Sequence, residues 1–334
     1  MPADAIRFTV VVPTRGRDDL LNPLLDALAA QTLDRSRWDL VVSFDGAEPS
    51  PAIARRLDAM AASTIANRER RGPGAARNAG AARGTGDYLA FTEDDCNPAP
   101  GWLERALERL DRDPAIDVLE GATLLPDGRP ARRRAADRLT WLPTNLFVRR
   151  SLFEAVGGYC ERFFDPATGV YFREDSDFGF TVMGRGARVL HDERPRVVHP
   201  REHSAWLDPV RWARRYEMDP LLAARHPEAF QDEIEVSRWG PFQLRRPFVR
   251  ACAGFLLGCL VALGFLALGN AGLASWFAAV ALILLLVIAA KWRFEPKHLV
   301  VAPVVPVVLF LALLRGRRRA AGVAPVERAE PVRP

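Results

Sequence analysis

The chain has 334 residues, 26% of them charged, and a net charge of +5, which leaves room for one large catalytic domain or two ordinary ones plus an appendage. Its four cysteines, Cys96, Cys160, Cys252 and Cys259, follow no zinc-site or disulfide spacing, and a reducing cytoplasmic setting fits them. The positive charge gathers beside apolar segments, so anionic lipid is a simpler partner than nucleic acid, and no nucleic-acid partner is expected.

Met1 leads within a few residues into the β-branched run Phe8 to Val12, so no cleavable signal peptide is expected. Asn22-Pro23 reads as a helix cap followed by proline at the first helical position, with Leu24, Leu25 and Leu28 at helical spacing behind it. Asp39 to Phe44 reads as a second strand, closed by Asp45-Gly46, and Ser63 to Ala66 as a third. A glycine-rich stretch from Arg71 to Gly80 then opens a small-residue helix ending at Gly84 or Gly86. Tyr88 to Thr92 is a fourth strand, Gly101-Trp102-Leu103 starts another helix, and Ala115 to Leu125 looks extended. Ser151 and Glu154 have capping-box spacing, which predicts a helix from Ser151 to Gly157-Gly158. Phe178 to Arg185 reads as helix, followed by short strands near Arg188 to Leu190 and at Val197-Val198. Strand–helix alternation of this kind predicts an α/β domain with a mostly parallel sheet flanked by helices, binding ligands beyond the carboxyl ends of its strands.

Beyond residue 250 the composition changes. Residues 251–268 and 273–290 are two 18-residue runs without a charge. At about 1.5 Å per residue each reaches about 27 Å, close to the hydrocarbon thickness of a bilayer. A shorter run, 299–314, carries Pro303 and Pro306 and is either a third span or a re-entrant or interfacial segment. Basic residues precede the block (Arg245, Arg246, Arg250), divide it (Lys291, Arg293, Lys297) and follow it (Arg315, Arg317 to Arg319), whereas Gly269 to Gly272 is uncharged. The positive-inside rule then sets the first two clusters in the cytoplasm and that short loop outside. A third true span would carry the last cluster outside, against the rule. The expected organisation is a cytoplasmic catalytic domain over 1–240, a membrane domain over 241–316 and a disordered basic tail over 317–334. Trp206, Arg211, Trp212, Arg214, Arg215 and Tyr216 interleave rings and cations, which suits either an interfacial helix or a plain structural one. Arg132-Arg133-Arg134 reads as a solvated loop.

Two acidic clusters about eighty residues apart carry the chemistry: Glu93-Asp94-Asp95 behind the fourth strand, and Glu174-Asp175-Ser176-Asp177 opening a helix. Carboxylates are costly to gather unless a cation or a proton transfer uses them. The first cluster suits a hard divalent cation holding a diphosphate, and the second a general base. In order, Val11-Val12-Pro13-Thr14-Arg15, Phe44-Asp45-Gly46, Gly74 to Gly80, Phe91 to Asp95 and Arg173 to Asp177 resemble the family 2 inverting glycosyltransferases, from about Phe8 to His199. That resemblance implies the GT-A fold, a Rossmann-like sheet, followed here by C-terminal transmembrane helices. It also implies a nucleotide-diphosphate sugar donor and Mg2+ or Mn2+ as cofactor.

Carried over residue by residue, the resemblance implies Asp95 as the main metal ligand, with Glu93 standing where the family usually has aspartate and His199 nearby; His203 and His191 are weaker candidates. It implies Asp175 as the base, with Glu174 and Asp177 on the acceptor side. Pro13, Thr14, Arg15, Asp45, Gly74, Arg77, Asn78 and Asp94 fall in the donor-binding segments, with Arg77 a candidate for phosphate oxygens and Phe44 replacing the first acid of the more usual pattern. A membrane anchor on such an enzyme suits a lipid-linked glycan, a glycolipid or a cell-envelope polysaccharide as acceptor. The competing readings are an enzyme of the same family loading sugar onto polyprenyl phosphate, a sugar nucleotidyltransferase, and a degenerate nucleotide-binding scaffold of an envelope complex. Pro13 to Arg17 is a poor match to the glycine-rich loop of nucleotidyltransferases.

Overall fold

A computed structural model of the chain describes residues 6–131, 140–200, 205–239 and 242–327. Arg132 to Arg134 and His203 lie outside the described residues. The chain forms two compact units, Met1–Glu202 with Glu327–Pro334, and His203–Val326.

The first unit runs β1 (Phe8–Thr14), α1 (Asp18–Ala29), β2 (Trp38–Asp45), α2 (Pro51–Ala59), β3 (Ser63–Asn67), α3 (Pro73–Arg83), β4 (Tyr88–Phe91), β5 (Asn97–Pro98) and α4 (Trp102–Arg112). It continues with β6 (Val118–Leu124), β7 (Leu146–Arg149), α5 (Arg150–Ala155), the small hairpin β8 (Phe164–Asp165) and β9 (Val170–Tyr171), α6 (Glu174–Gly184) and β10 (Val189–Val198). Eight strands form one sheet in the order β3-β2-β1-β4-β7-β6-β10-β5. The β3-β2-β1-β4 block and the β6–β10 pair are parallel; β7 runs antiparallel between β4 and β6, and β5 runs antiparallel along the edge of β10.

Strand periodicity explains the two cores. In β1, Phe8, Val10 and Val12 face one side and pack with Leu21, Leu24 and Leu28 of α1 and Trp102 of α4. Val11 faces the other side and joins Phe91, Leu146, Phe153, Tyr159 and Phe178. The small residues of α3 let that helix lie directly on β1: a Cβ at Gly80 would stand 2.5 Å from Val11 Cγ1.

Three local expectations are corrected. Helix α1 starts at Asp18, five residues before Pro23, which lies inside it. Asp18 and Asp19 suit the positive end of the helix, and Asn22 does not cap because its side chain accepts from Arg56 Nη1 of α2 at 2.6 Å. Helix α5 starts at Arg150 with no side-chain cap, so Ser151 is not its N-cap. The start is held by the Arg150 guanidinium, which donates to the carbonyls of Gly86 and Ala81 at 2.7 and 2.6 Å and to Thr9 Oγ1 at 2.9 Å. The two short strands after α6 are one strand, β10, whose register along β6 shifts between Asp192 and Arg196.

The second unit contains α7 (Asp208–Arg215), α8 (Asp219–Arg225), the short α9 (Pro227–Ala229), the hairpin β11 (Val236–Trp239) and β12 (Phe242–Arg245), α10 (Pro247–Ala267), α11 (Ala271–Ala290), α12 (Pro296–Leu299) and α13 (Val305–Ala320). Three helices, Pro247–Ala267, Ala271–Ala290 and Pro296–Ala320, are long and apolar enough to cross a membrane by length and composition. The first unit extends to Glu202, and Ala213 of α7 belongs to the same core as Ala251, Cys252, Ile288, Val305 and Leu309. Residues 317–320, expected in a disordered tail, complete α13, where Arg319 approaches the buried Glu217 at 3.5 Å.

Candidate active site

Strand order creates the cleft. β2 and β3 lie on one side of β1 and β4 on the other, so the connections leaving β1 and β4 part at their carboxyl ends, where open α/β sheets hold ligands. Thr14 ends β1, and Glu93-Asp94-Asp95 follows β4. The two loops are tied by Asp94, which is 3% exposed: it accepts from Thr14 Oγ1 at 2.6 Å and is gripped by the Arg17 guanidinium through both oxygens. Burial alone would lower the Arg17 pKa; Asp94, with Asp95 and Tyr171 adding to it, more than offsets that. Asp45, at the end of β2, accepts from the backbone N–H groups of Arg71 and Gly72 at 2.6 and 3.0 Å, which pins the entry to α3. Pro13 is buried and Arg15 is exposed at the rim.

Arg77 joins the two acidic clusters. It points from α3 into the interior, 1% exposed, with Nη2 donating to Glu93 Oε1 at 2.8 Å and Nη1 at 3.8 Å from Glu174 Oε1. The Tyr159 ring lies 5.4 Å from the guanidinium carbon. Nε and Nη1 of Arg77, and the Tyr159 hydroxyl, are buried without hydrogen-bond partners. Burial works against the Arg77 charge, yet Glu93, Tyr159 and Glu174 together push its pKa up. Asn78, on the same helix, is held to the Tyr159 backbone through both ends of its amide, at 2.8 Å each. A Cβ at Gly74 would stand 3.3 Å from Tyr159 Cβ.

Glu93, Asp95, Cys96 and His199 each offer an atom to a group lying within 4.8 Å of one another. His199 follows β10, its N–H bonded to the Leu124 carbonyl at 2.8 Å. Its Nδ1 lies 2.7 Å from the Pro200 carbonyl, an acceptor only, so Nδ1 carries a proton, and in the neutral ring Nε2 presents a lone pair. That nitrogen stands 3.8 Å from Asp95 Oδ1 and 4.0 Å from Glu93 Oε2. A lone pair facing two carboxylates is repulsive unless a cation or a second ring proton lies between them. Burial pushes the Glu93 carboxyl up, against the pull of Arg77, with Asp95 adding to the rise. Burial raises Cys96 far more, with Glu93 and Asp95 adding to it, so its thiol stays protonated and contacts Asp95 Oδ1 at 3.6 Å as a weak donor. The donors that fit Mg2+ or Mn2+ are therefore Glu93, Asp95 and His199.

The second cluster lies in the first turn of α6, behind Arg173 in a left-handed conformation (φ 74°). Glu174 and Asp177 are buried and Asp175 is half-buried. Asp175 Oδ1 accepts from Ser176 N at 2.7 Å. Glu174 is pushed up to about 7, chiefly by burial and by Asp175, with Arg77 opposing. Of the other histidines, His191 sits 3.5 Å from the buried Glu120, away from this group. Sequence reasoning missed Arg17, Cys96 and Tyr159: the first two adjoin residues already singled out, whereas nothing local to Tyr159 signals its place beside Arg77.

Residues 9–174 match the family described as Glycosyl transferase family 2. The protein is 25% identical over 205 residues to "Glycosyltransferase AglE" of Haloferax volcanii, covering 56% of this chain and 67% of that one. It is 38% identical over 159 residues to the "Glucosyl-dolichyl phosphate glucuronosyltransferase" of the same organism, covering 40% and 49%. A "Pre-mycofactocin glycosyltransferase" of Mycobacterium tuberculosis is 28% identical over 182 residues, covering 47% and 36%. The chain thus spans about two thirds of the first of these relatives and less than half of the other two. Among solved structures, the mannosyltransferase PcManGT from Pyrobaculum calidifontis, in complex with GDP-Man and Mn2+, superposes with a TM-score of 0.54 at 19% identity, covering 94% of this chain and 88% of that one. S. aureus TarS 1-349 in complex with UDP-GlcNAc gives 0.52 at 18% identity, covering 69% and 76%. These likenesses establish a shared GT-A-like fold. The chain belongs to glycosyl transferase family 2, and its first unit is a glycosyltransferase domain.

Proposed function

We propose that the protein transfers a sugar from a nucleotide-diphosphate sugar to a hydroxyl acceptor, with inversion at the anomeric carbon and with Mg2+ or Mn2+ as cofactor. The carrying observation is the Arg77 bridge, which brings Glu93 and Glu174, and with them two clusters about eighty residues apart, to one cleft. Nucleotide sugars bound in the solved neighbours, with Mn2+ in one of them, support the donor class and the metal.

In this reading Thr14, Arg15 and Asp45 border the nucleotide, with Pro13, Gly74, Asn78 and Asp94 shaping the wall behind it. Glu93, Asp95 and His199 hold the cation, which when bound supplies positive charge to the departing nucleotide diphosphate. Asp175 takes the proton from the acceptor hydroxyl as that oxygen attacks from the face opposite the leaving group. Glu174 and Asp177 border the acceptor. Arg77 lies beneath both clusters and holds the like charges together. The apolar helices and the name of the 38%-identical relative support a lipid-linked acceptor, reached at the cytoplasmic face of the cell membrane.

The test is donor-dependent nucleotide release by the full chain across UDP-, GDP- and dTDP-sugars, with and without Mg2+ or Mn2+. One donor should give metal-dependent turnover, Asp95→Ala should lower it by about a thousandfold or more, and Asp175→Asn by about 10²–10⁴-fold. Wild-type rates in Asp95→Ala would remove the metal assignment. Near-normal turnover in Asp175→Asn would instead indicate a phosphate acceptor, which needs little base.

A further inference from the structure

We infer that the third apolar segment, residues 296–320, lies in the membrane interface without crossing the bilayer, and that the face it builds takes anionic phospholipid headgroups. The first ground is its company. His298 Nε2 lies 3.1 Å from the Ala205 carbonyl. Further along, Val305 and Leu309 share a core with Ala213. A Cβ at Gly316 would overlap the Glu217 carbonyl and crowd Pro220, Arg319 pairs with Glu217 at 3.5 Å, and Val326 N donates to the Arg225 carbonyl at 2.9 Å. Residues 298–326 therefore run beside residues 205–225 from end to end, in the same direction. That companion stretch carries seven charged residues in 21 and cannot be drawn through hydrocarbon at tolerable cost.

The second ground is where that pair of strips sits. Trp212 packs on Phe248 at the start of α10 and on Trp292 just past the end of α11, with ring centroids 5.1 and 5.8 Å apart. Lys291 Nζ lies 3.5 Å from the Trp212 ring centroid. Rings and an ammonium at the two helix ends that share one side mark headgroup depth. The opposite turn, Gly269 to Gly272, is uncharged.

The third ground is the segment's own surface. Val300, Val304, Val307, Leu311 and Leu314 are exposed and repeat at four- and three-residue steps, forming one stripe. Val305, Leu309, Ala312 and Gly316 are buried on the other face. The exposed cations Arg315, Arg317 and Arg318 end the stripe, and Arg250, Lys291 and Arg293 stand at the ends of α10 and α11. An apolar stripe that ends in cations is complementary to an anionic bilayer surface. With only α10 and α11 crossing, all three basic clusters and the region after residue 320 stay on the side of residue 205, and the conflict with the positive-inside rule disappears.

Depth measurement tests this directly. The full chain, with its four cysteines replaced by serine, is reconstituted in phosphatidylethanolamine–phosphatidylglycerol vesicles with a fluorescent probe on a single cysteine at 300, 304, 307, 311 or 314. Quenching by lipids brominated at different depths should give one shallow depth for all five. Probes at 257, 260, 263 and 266 on α10 should give graded depths. A graded series over 300–314 would overturn the in-plane placement. Should the serine chain fail to fold, reporter fusions to the natural chain after residue 327 and within 269–272 decide the same point: opposite sides are expected, and the same side overturns it. The triple variant Arg315→Glu, Arg317→Glu, Arg318→Glu, or vesicles of phosphatidylcholine alone, should leave the five probes less quenched. Unchanged quenching in both would overturn the headgroup assignment.

Discussion

The two units treat charge and apolar surface in opposite ways. In the first, charges are drawn inside and countered: Arg77 is 1% exposed between Glu93 and Glu174, and Asp45, Asp94 and Asp177 are buried. In the second, charges are excluded from α10 and α11 between residues 251 and 268 and again between 273 and 290, and leucines face outward. Leu24 is 0% exposed on the sheet, whereas Leu260 on α10 is 67% exposed. Charge drawn into the interior is costly unless it is countered or used, and outward leucine on helices long enough to cross a bilayer suits an apolar surrounding.

The comparison is broken most severely at Arg77. Arg77→Leu leaves Glu93 and Glu174 in the interior with no cation between them, and loss of one partner of a buried ion pair costs about 3–5 kcal/mol. Urea unfolding of the full chain in detergent should show a loss of that size. Arg77→Lys, which keeps a charge but not the fork that reaches both acids, should fall between. Wild-type stability in Arg77→Leu would mean that the acids are neutral or hydrated in place.

The same cluster should make stability depend on pH. Glu174 in the folded chain is pushed up to about 7, above its ordinary value of 4.5, by burial and by Asp175. Because its folded pKa is raised, its contribution is fully present below about pH 4.5 and is lost as pH rises through about 7. Glu174→Gln cannot ionise, so wild type should lose up to about 3 kcal/mol relative to that variant between about pH 5 and pH 8. Parallel profiles for the two proteins would contradict the raised value.

A smaller effect is expected where packing alone is altered. Gly80→Val would drive a Cβ against Val11 of β1, 2.5 Å from Cγ1, with further methyls behind it. Overpacking of this kind costs about 1–3 kcal/mol, and the same unfolding assay reads it.

What was legible in the chain was what neighbouring residues determine. The alternation in Phe8 to Val12 predicts a strand with two core faces, and both are filled. The small residues of α3 and the acids behind β4 stand where the local pattern set them. The failures each involve a distant partner. Asn22 looks like a cap until Arg56 takes its side chain, and Ser151 looks like one until Arg150 anchors the helix start on Gly86, Ala81 and Thr9. Arg77, a candidate for phosphate oxygens in the sequence, lies 1% exposed between Glu93 and Glu174, a pairing that no local pattern signals. Local rules single out the acids; that Arg77 stands between Glu93 and Glu174 is seen only in three dimensions.

The mildest change tests the apolar half of the comparison. In the first unit, truncating a core leucine such as Leu24→Ala opens a cavity and costs about 2–5 kcal/mol. Leu260→Ala removes the same atoms from an outward face of α10; if α10 crosses a bilayer, the neighbours there are lipid chains, which would close over the smaller residue. Its cost should stay within about 0.5 kcal/mol in bilayer-like micelles, as for surface positions generally. Leu260→Arg at the same site reverses the logic, because a charge at mid-bilayer depth costs about 2.5–3.5 kcal/mol on insertion scales. If Leu260→Ala destabilises as much as Leu24→Ala while Leu260→Arg is tolerated, that face of α10 packs against protein or meets water, and the contrast between the two units fails there.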